Sequence, residues 1–91
     1  MIQITAIKLV GGDGHEHITD VRWHSASTSA GQSTREAVVE WLSASGANQA
    51  VVAEASKHVS VAVVRPANEP AYIRTQADGV WTDNLLALPR F

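Results

Sequence analysis

The dipeptide Asp78-Gly79 lies between Thr75-Gln76-Ala77 and Val80-Trp81-Thr82, and no other pair of residues constrains the chain as tightly. A two-residue hairpin of type I′ needs positive φ at both central positions, which Asp-Gly tolerates and most pairs do not. The spacing predicts a strand over residues 72–77 that folds back on a second over residues 80–82. Past the hairpin, Thr82 or Asp83 is placed to cap a short helical turn over Asn84, Leu85, Leu86 and Ala87. Pro89 disfavours helical backbone at Leu88 and so ends the turn. Leu85, Leu86 and Leu88 then form a lid on the core, tying down a stretch that would otherwise fray.

Upstream, residues 2–10, IQITAIKLV, are rich in β-branched side chains and read as a strand. The alternation begins on Ile2, Ile4 and Ala6 and slips to Ile7 and Leu9, which predicts a bulge near Ala6 or cover on both faces. Gly11-Gly12-Asp13-Gly14 reads as a hairpin loop. The segment after it is not a helix, and no lysine or serine stands where a phosphate-binding loop needs one. Residues 15–24 form the second expected strand, with His17, Thr19, Val21 and Trp23 on one face and Ile18 on the other. Residues 25–32, SASTSAGQ, read as a mobile loop. Ser33-Thr34-Arg35-Glu36 then has the form of a capping box opening a helix. Its inner stripe is Ala37, Val38, Trp41, Leu42 and Ser45, with Val39 outside and Gly46 closing the helix. Residues 49–55 and 58–65 read as strands joined around Ser56-Lys57, and residues 66–70, PANEP, lead into the hairpin. The expected fold is one α+β domain over residues 1–91. It has an antiparallel sheet of about five strands, one helix packed on a face and a short C-terminal helical turn.

Charge and composition exclude several functions. A net charge of −2 gives no electrostatic reason to bind nucleic acid. The order of strands and helix resembles a double-stranded-RNA-binding domain, but the helix sets Glu36 and Glu40 against a single Arg35. With no cysteine there are no disulfides, thiolate metal ligands or cysteine nucleophiles. The absence of a run of ~20 apolar residues or a leader pattern sets the expectation of a soluble, cytoplasmic protein without a membrane partner.

Candidate functional residues are few. His15 and His17 share a side with Glu16 turned away, while His24 has the wrong parity to join them. A zinc site needs at least three protein ligands, so no metal and no cofactor is expected. No serine stands in a G-x-S-x-G setting, so no catalytic residue is assigned. Arg74, Asp78, Asp83 and Asn84, with Arg65, form a compact polar group that can bind a ligand or partner, because arginine forks to carboxylate or phosphate. The same residues also suit structural roles in turn, cap and ion pair. On the strand over residues 58–65, Ser60, Ala62 and Val64 make a small, nearly uncharged face that invites another layer or a second copy. The expectation is a non-catalytic binding or protein-interaction module that forms a homo-oligomer. The alternative is a small-ligand-binding protein or enzyme using Arg74, Asp78, Asp83 and Asn84.

ADGVWTDNLLALPRF, preceded by YIRT, resembles the C-terminal signature of a bacterial family catalogued as domain of unknown function 3892. ITAIKLVGGDGHEHITDVRW resembles the N-terminal half of the same family. The DG-x-x-TDNLL-x-LP run is the more specific of the two. The resemblance implies a compact one-domain protein of bacterial or phage origin, and it implies no activity, cofactor or catalytic residue.

Overall fold

The structure, a computed structural model that describes residues 1–25, 29–54 and 57–91, begins with the β-branched run as β1 (Ile2–Leu9). After a 3-10 turn at His15–His17 come β2 (Ile18–Ser25), β3 (Ala30–Thr34) and α1 (Arg35–Ala44). β4 (Ala50–Glu54), β5 (Lys57–Val64), β6 (Tyr72–Ala77) and β7 (Val80–Thr82) follow, then a second 3-10 turn at Leu85–Ala87. Among the described residues the strands form one sheet in the order β3-β2-β1-β4-β5-β6-β7. Over the described residues the protein is a mostly-sheet α+β fold with one helix, and the expectation of about five antiparallel strands is corrected there to seven in a mixed sheet.

Two features account for that correction. β3 lies partly in the segment read as a loop: its residues, Ala-Gly-Gln-Ser-Thr, carry no apolar alternation, so only pairing with β2 makes them a strand. β1 and β4 run parallel through Ile2↔Ala50 and Gln3↔Val51, because the chain between them crosses over through α1. Ala26, Ser27 and Thr28 of the expected loop, and Ala55 and Ser56 between the expected strands, lie outside the described residues.

β1 parts from β4 after Gln3, and the C-terminal stretch takes the vacated edge. The Ile7 N–H donates to the Pro89 carbonyl at 2.9 Å and the Phe91 N–H donates to the Ile7 carbonyl at 3.1 Å. The Arg22 guanidinium lies over the Phe91 ring, 4.2 Å from its centroid. The register slip expected near Ala6 falls at Thr5, between the pairs Ile4↔Trp23 and Ala6↔Arg22. A second slip at Thr19, between Leu9↔Ile18 and Lys8↔Asp20, corrects the expected facing of β2. It lets Ile18 and Val21 both bury fully, although simple alternation puts them on opposite faces.

The core lies between the sheet and α1, with Ile4, Ile7, Ile18, Val21, Ile73 and Leu85 fully buried. The helix cap sits one residue later than the capping box predicts: the Ala37 N–H donates to Thr34 Oγ1 at 3.1 Å. Ser33 is unavailable as the cap because its Oγ accepts the Trp23 indole N–H at 3.0 Å. The buried stripe is correspondingly rotated. Val38 is buried, Trp41, Leu42 and Val39 pack against the core, and Ala37 is exposed. Gly46 does not close the helix in a left-handed conformation; the positive-φ glycines are Gly11 and Gly79. Instead Asn48 holds the helix end, donating its side-chain amide to the Trp41 carbonyl at 2.8 Å and its backbone N–H to the Ser45 carbonyl at 3.1 Å. Among the described residues no helix is long and apolar enough to cross a membrane.

Candidate functional site

Asp78 and Gly79 have φ of 52° and 77°, both positive, as a type I′ turn requires. The turn fixes the register of β6 and β7 and sets Thr75 opposite Thr82. Thr75 is fully buried, so its hydroxyl must find partners within the protein. It lies 3.1 Å from the Thr82 carbonyl and 2.8 Å from Thr82 Oγ1. The Thr82 hydroxyl in turn reaches Asn84 Oδ1 at 2.6 Å, and the Asn84 amide donates to Glu54 Oε2. A chain of side-chain hydrogen bonds thus runs from β6 through β7 to the end of β4.

Arg74 borders this chain. Its Nε donates to the Thr82 carbonyl at 3.1 Å and its Nη2 to Asp83 Oδ1 at 2.9 Å. The other side of Asp83 meets His15, whose Nε2 stands 3.9 Å from the same carboxylate oxygen. His15 is buried in its 3-10 turn, and its Nε2 has no hydrogen-bond partner among the described residues. Burial pushes the His15 pKa below its ordinary 6.5, and the neighbouring Arg74 charge lowers it further, against the opposing pull of Asp83 and Glu16. The imidazole is therefore neutral at pH 7.

The structure brings Arg74, Asp83 and Asn84 into one cluster and leaves the other two candidates outside it. Asp78 is exposed at the far end of the hairpin. Arg65 belongs to the helix side, where its Nη2 donates to Ser43 Oγ at 2.6 Å. Neither Thr82 nor Asp83 caps the final turn by its side chain. The N-cap is Asn84, it makes no side-chain cap bond, and the Asp83 carboxylate is engaged by Arg74. The Asn84 side chain bonds two other side chains, those of Thr82 and Glu54. His15 and Glu54 join the cluster without any local signal, since each reaches it from outside the hairpin; Thr75 was missed although the Asp78-Gly79 turn itself sets it opposite Thr82. Among the described residues no three His, Cys, Asp or Glu side chains gather as a metal site.

A second surface lies on the sheet face turned away from the core. By alternation, Gln3, Val51, Ser60 and Gln76 point opposite to Ile4, Val52, Val61 and Ile73. The pairing registers align Ala30, His24, Gln3, Val51, Ser60, Gln76 and Trp81 into one row that crosses all seven strands. The row contains no Asp, Glu, Lys or Arg. Trp81, at one end, keeps 39% of its surface exposed.

A family model described as a protein of unknown function (DUF3892) matches residues 3–89 of the 91-residue chain. No curated protein and no solved structure matches the chain.

Proposed function

The chain belongs to the DUF3892 family, whose description assigns no activity, and from its own surface we propose that it is a non-catalytic protein-interaction module that pairs with a second copy of itself. The row across the outer sheet face, which holds no Asp, Glu, Lys or Arg, carries this reading. A row without carboxylates, lysines or arginines that ends on an exposed indole buries no formal carboxylate or ammonium charge on pairing, and its Gln and Ser side chains can hydrogen-bond across an interface. The molecule measures 36 × 28 × 23 Å along its principal axes. Its broad face is of the order of the ~800 Å² per partner that a standard interface buries. A domain of this size also gains stability from association, because it buries only ~60–65% of its own unfolded surface.

The polar cluster at the C-terminal hairpin supports the non-catalytic half of the reading. Arg74, Asp83, Thr75, Thr82 and Asn84 direct their hydrogen bonds at one another and at Glu54. In this reading they act as a clasp that fastens the final turn to the sheet.

Light scattering tests the association. The expected mass at micromolar concentration is twice the 9.7 kDa of the chain. Ser60→Glu places a charge in the middle of the row and should give a folded monomer. Ala62→Glu is the weaker choice, because Ala62 pairs with Arg74 across the strands and the new carboxylate would be neutralised there. A monomeric wild type at high concentration refutes the proposal.

A further inference from the structure

Between α1 and the edge of the sheet lies a cleft of about 220 Å³, lined by Ile2, Trp23, Ser33, Ala37, Val38 and Trp41. Trp23 is fixed from two sides. Its indole N–H is engaged by Ser33, and its Cζ2 would stand 2.7 Å from a Cβ added at Gly31, so the ring occupies space that glycine leaves open. The indole is therefore a set wall that cannot readily turn inward and fill the gap. Trp41 on α1 makes a second aromatic wall, and buried Val38 lies between sheet and helix. Among the described residues no charged side chain lines the cleft. The hydroxyl oxygen of Ser33, its lone aliphatic polar group, already accepts a hydrogen bond.

We propose that this cleft binds a small, flat, uncharged ring of monocyclic aromatic size. An apolar cavity of ~150 Å³ stays dry and takes up benzene, and this one is somewhat larger and open to solvent. Two indole walls favour an occupant that can stack or meet them edge to face. A charged ligand would be stripped of water with no counter-charge to receive it. The cleft lies on the helix side of the sheet, opposite the face assigned to self-association, so occupancy and pairing are independent.

Toluene serves as the probe, read through the three indole N–H resonances of the ¹⁵N-labelled protein. Trp23 and Trp41 should shift and saturate at millimolar toluene or below, while Trp81, on the other face, stays still and acts as an internal reference. Benzoate, the same ring with a charge, should produce no saturable shift. Ala37 is exposed at the rim, so Ala37→Phe should fill the cleft and abolish the toluene response with its melting temperature retained; Ala37→Leu serves if the larger side chain is not accepted. Toluene shifts that fail to saturate, that move all three indoles alike, or that persist in the filled variant overturn the proposal. Lack of saturation leaves the cleft to an apolar side chain of a protein partner or to solvent, and benzoate binding as tightly as toluene refutes the requirement for an uncharged ring.

Discussion

Removing the Asn84 side chain tests the hydrogen-bond chain that holds the C-terminal turn. Asn84→Ala deletes the acceptor 2.6 Å from the Thr82 hydroxyl and the donor to Glu54. The Thr82 hydroxyl is not stranded, because Thr75 Oγ1 stands 2.8 Å away and can accept its proton. The loss is then one net hydrogen bond, about 0.5–1.5 kcal/mol, with little added by the exposed Glu54. In a domain of this size ~1 kcal/mol lowers the melting temperature by roughly 4–8 °C. Thr75→Val removes the alternative acceptor while the Thr82 carbonyl keeps its bond from Arg74 Nε, so that single change should also cost about 1 kcal/mol. Both changes together leave the half-buried Thr82 hydroxyl with neither neighbour, and an unsatisfied group costs about 1–3 kcal/mol. The double variant should therefore exceed the sum of the singles by at least ~0.5 kcal/mol. Urea denaturation of the four proteins at one protein concentration, with m unchanged, measures this directly. Additivity, or an Asn84→Ala protein as stable as wild type, would show that the chain of hydroxyls is not a working unit.

Asp83→Ala should cost less than Asn84→Ala, about 0–1 kcal/mol, because the Asp83 side chain is 73% exposed and its pairing with Arg74 is screened; the reverse order in thermal melts refutes this ranking. Leu85→Ala empties a fully buried site and should cost about 2–5 kcal/mol. It should also speed amide exchange at Ile7 and Phe91 ahead of the rest of the sheet, and uniform acceleration would contradict the lid. For His15, which faces Arg74, Asp83 and Glu16, the folded pKa lies below 6.5, so the unfolded chain takes up the proton first as pH falls. Its contribution is fully present above 6.5 and is lost as pH drops towards the folded value. His15→Phe should flatten that part of the stability profile, and equal slopes refute it. Gly79→Ala puts a Cβ at φ 77° and should cost about 1–2 kcal/mol, visible as a lower melting temperature.

Local chemistry was enough for several elements. Asp78-Gly79 specifies its turn through backbone preferences of two residues, so the hairpin, its register and the leucine lid that follows are legible in the chain. The β-branched runs of β1 and β5 declare themselves for the same reason, and the helix start is misplaced by a single residue. Of the polar candidates, Arg74, Asp83 and Asn84 meet because the hairpin itself brings them together. Outside that hairpin, what depends on which strands meet was hidden. β3 has no apolar alternation and exists through its partner β2. The parallel pairing of β1 with β4 depends on a crossover of some forty residues, and the Thr19 bulge on the register of two strands. His15 and Glu54 reach the cluster across the sheet, and Arg65 is drawn to Ser43 on the helix, away from its expected neighbours. Short-range φ, ψ and side-chain preferences are carried by adjacent residues and can be read from them. Long-range pairing is settled by the free energy of burying one common core, to which every element contributes and which no single segment encodes.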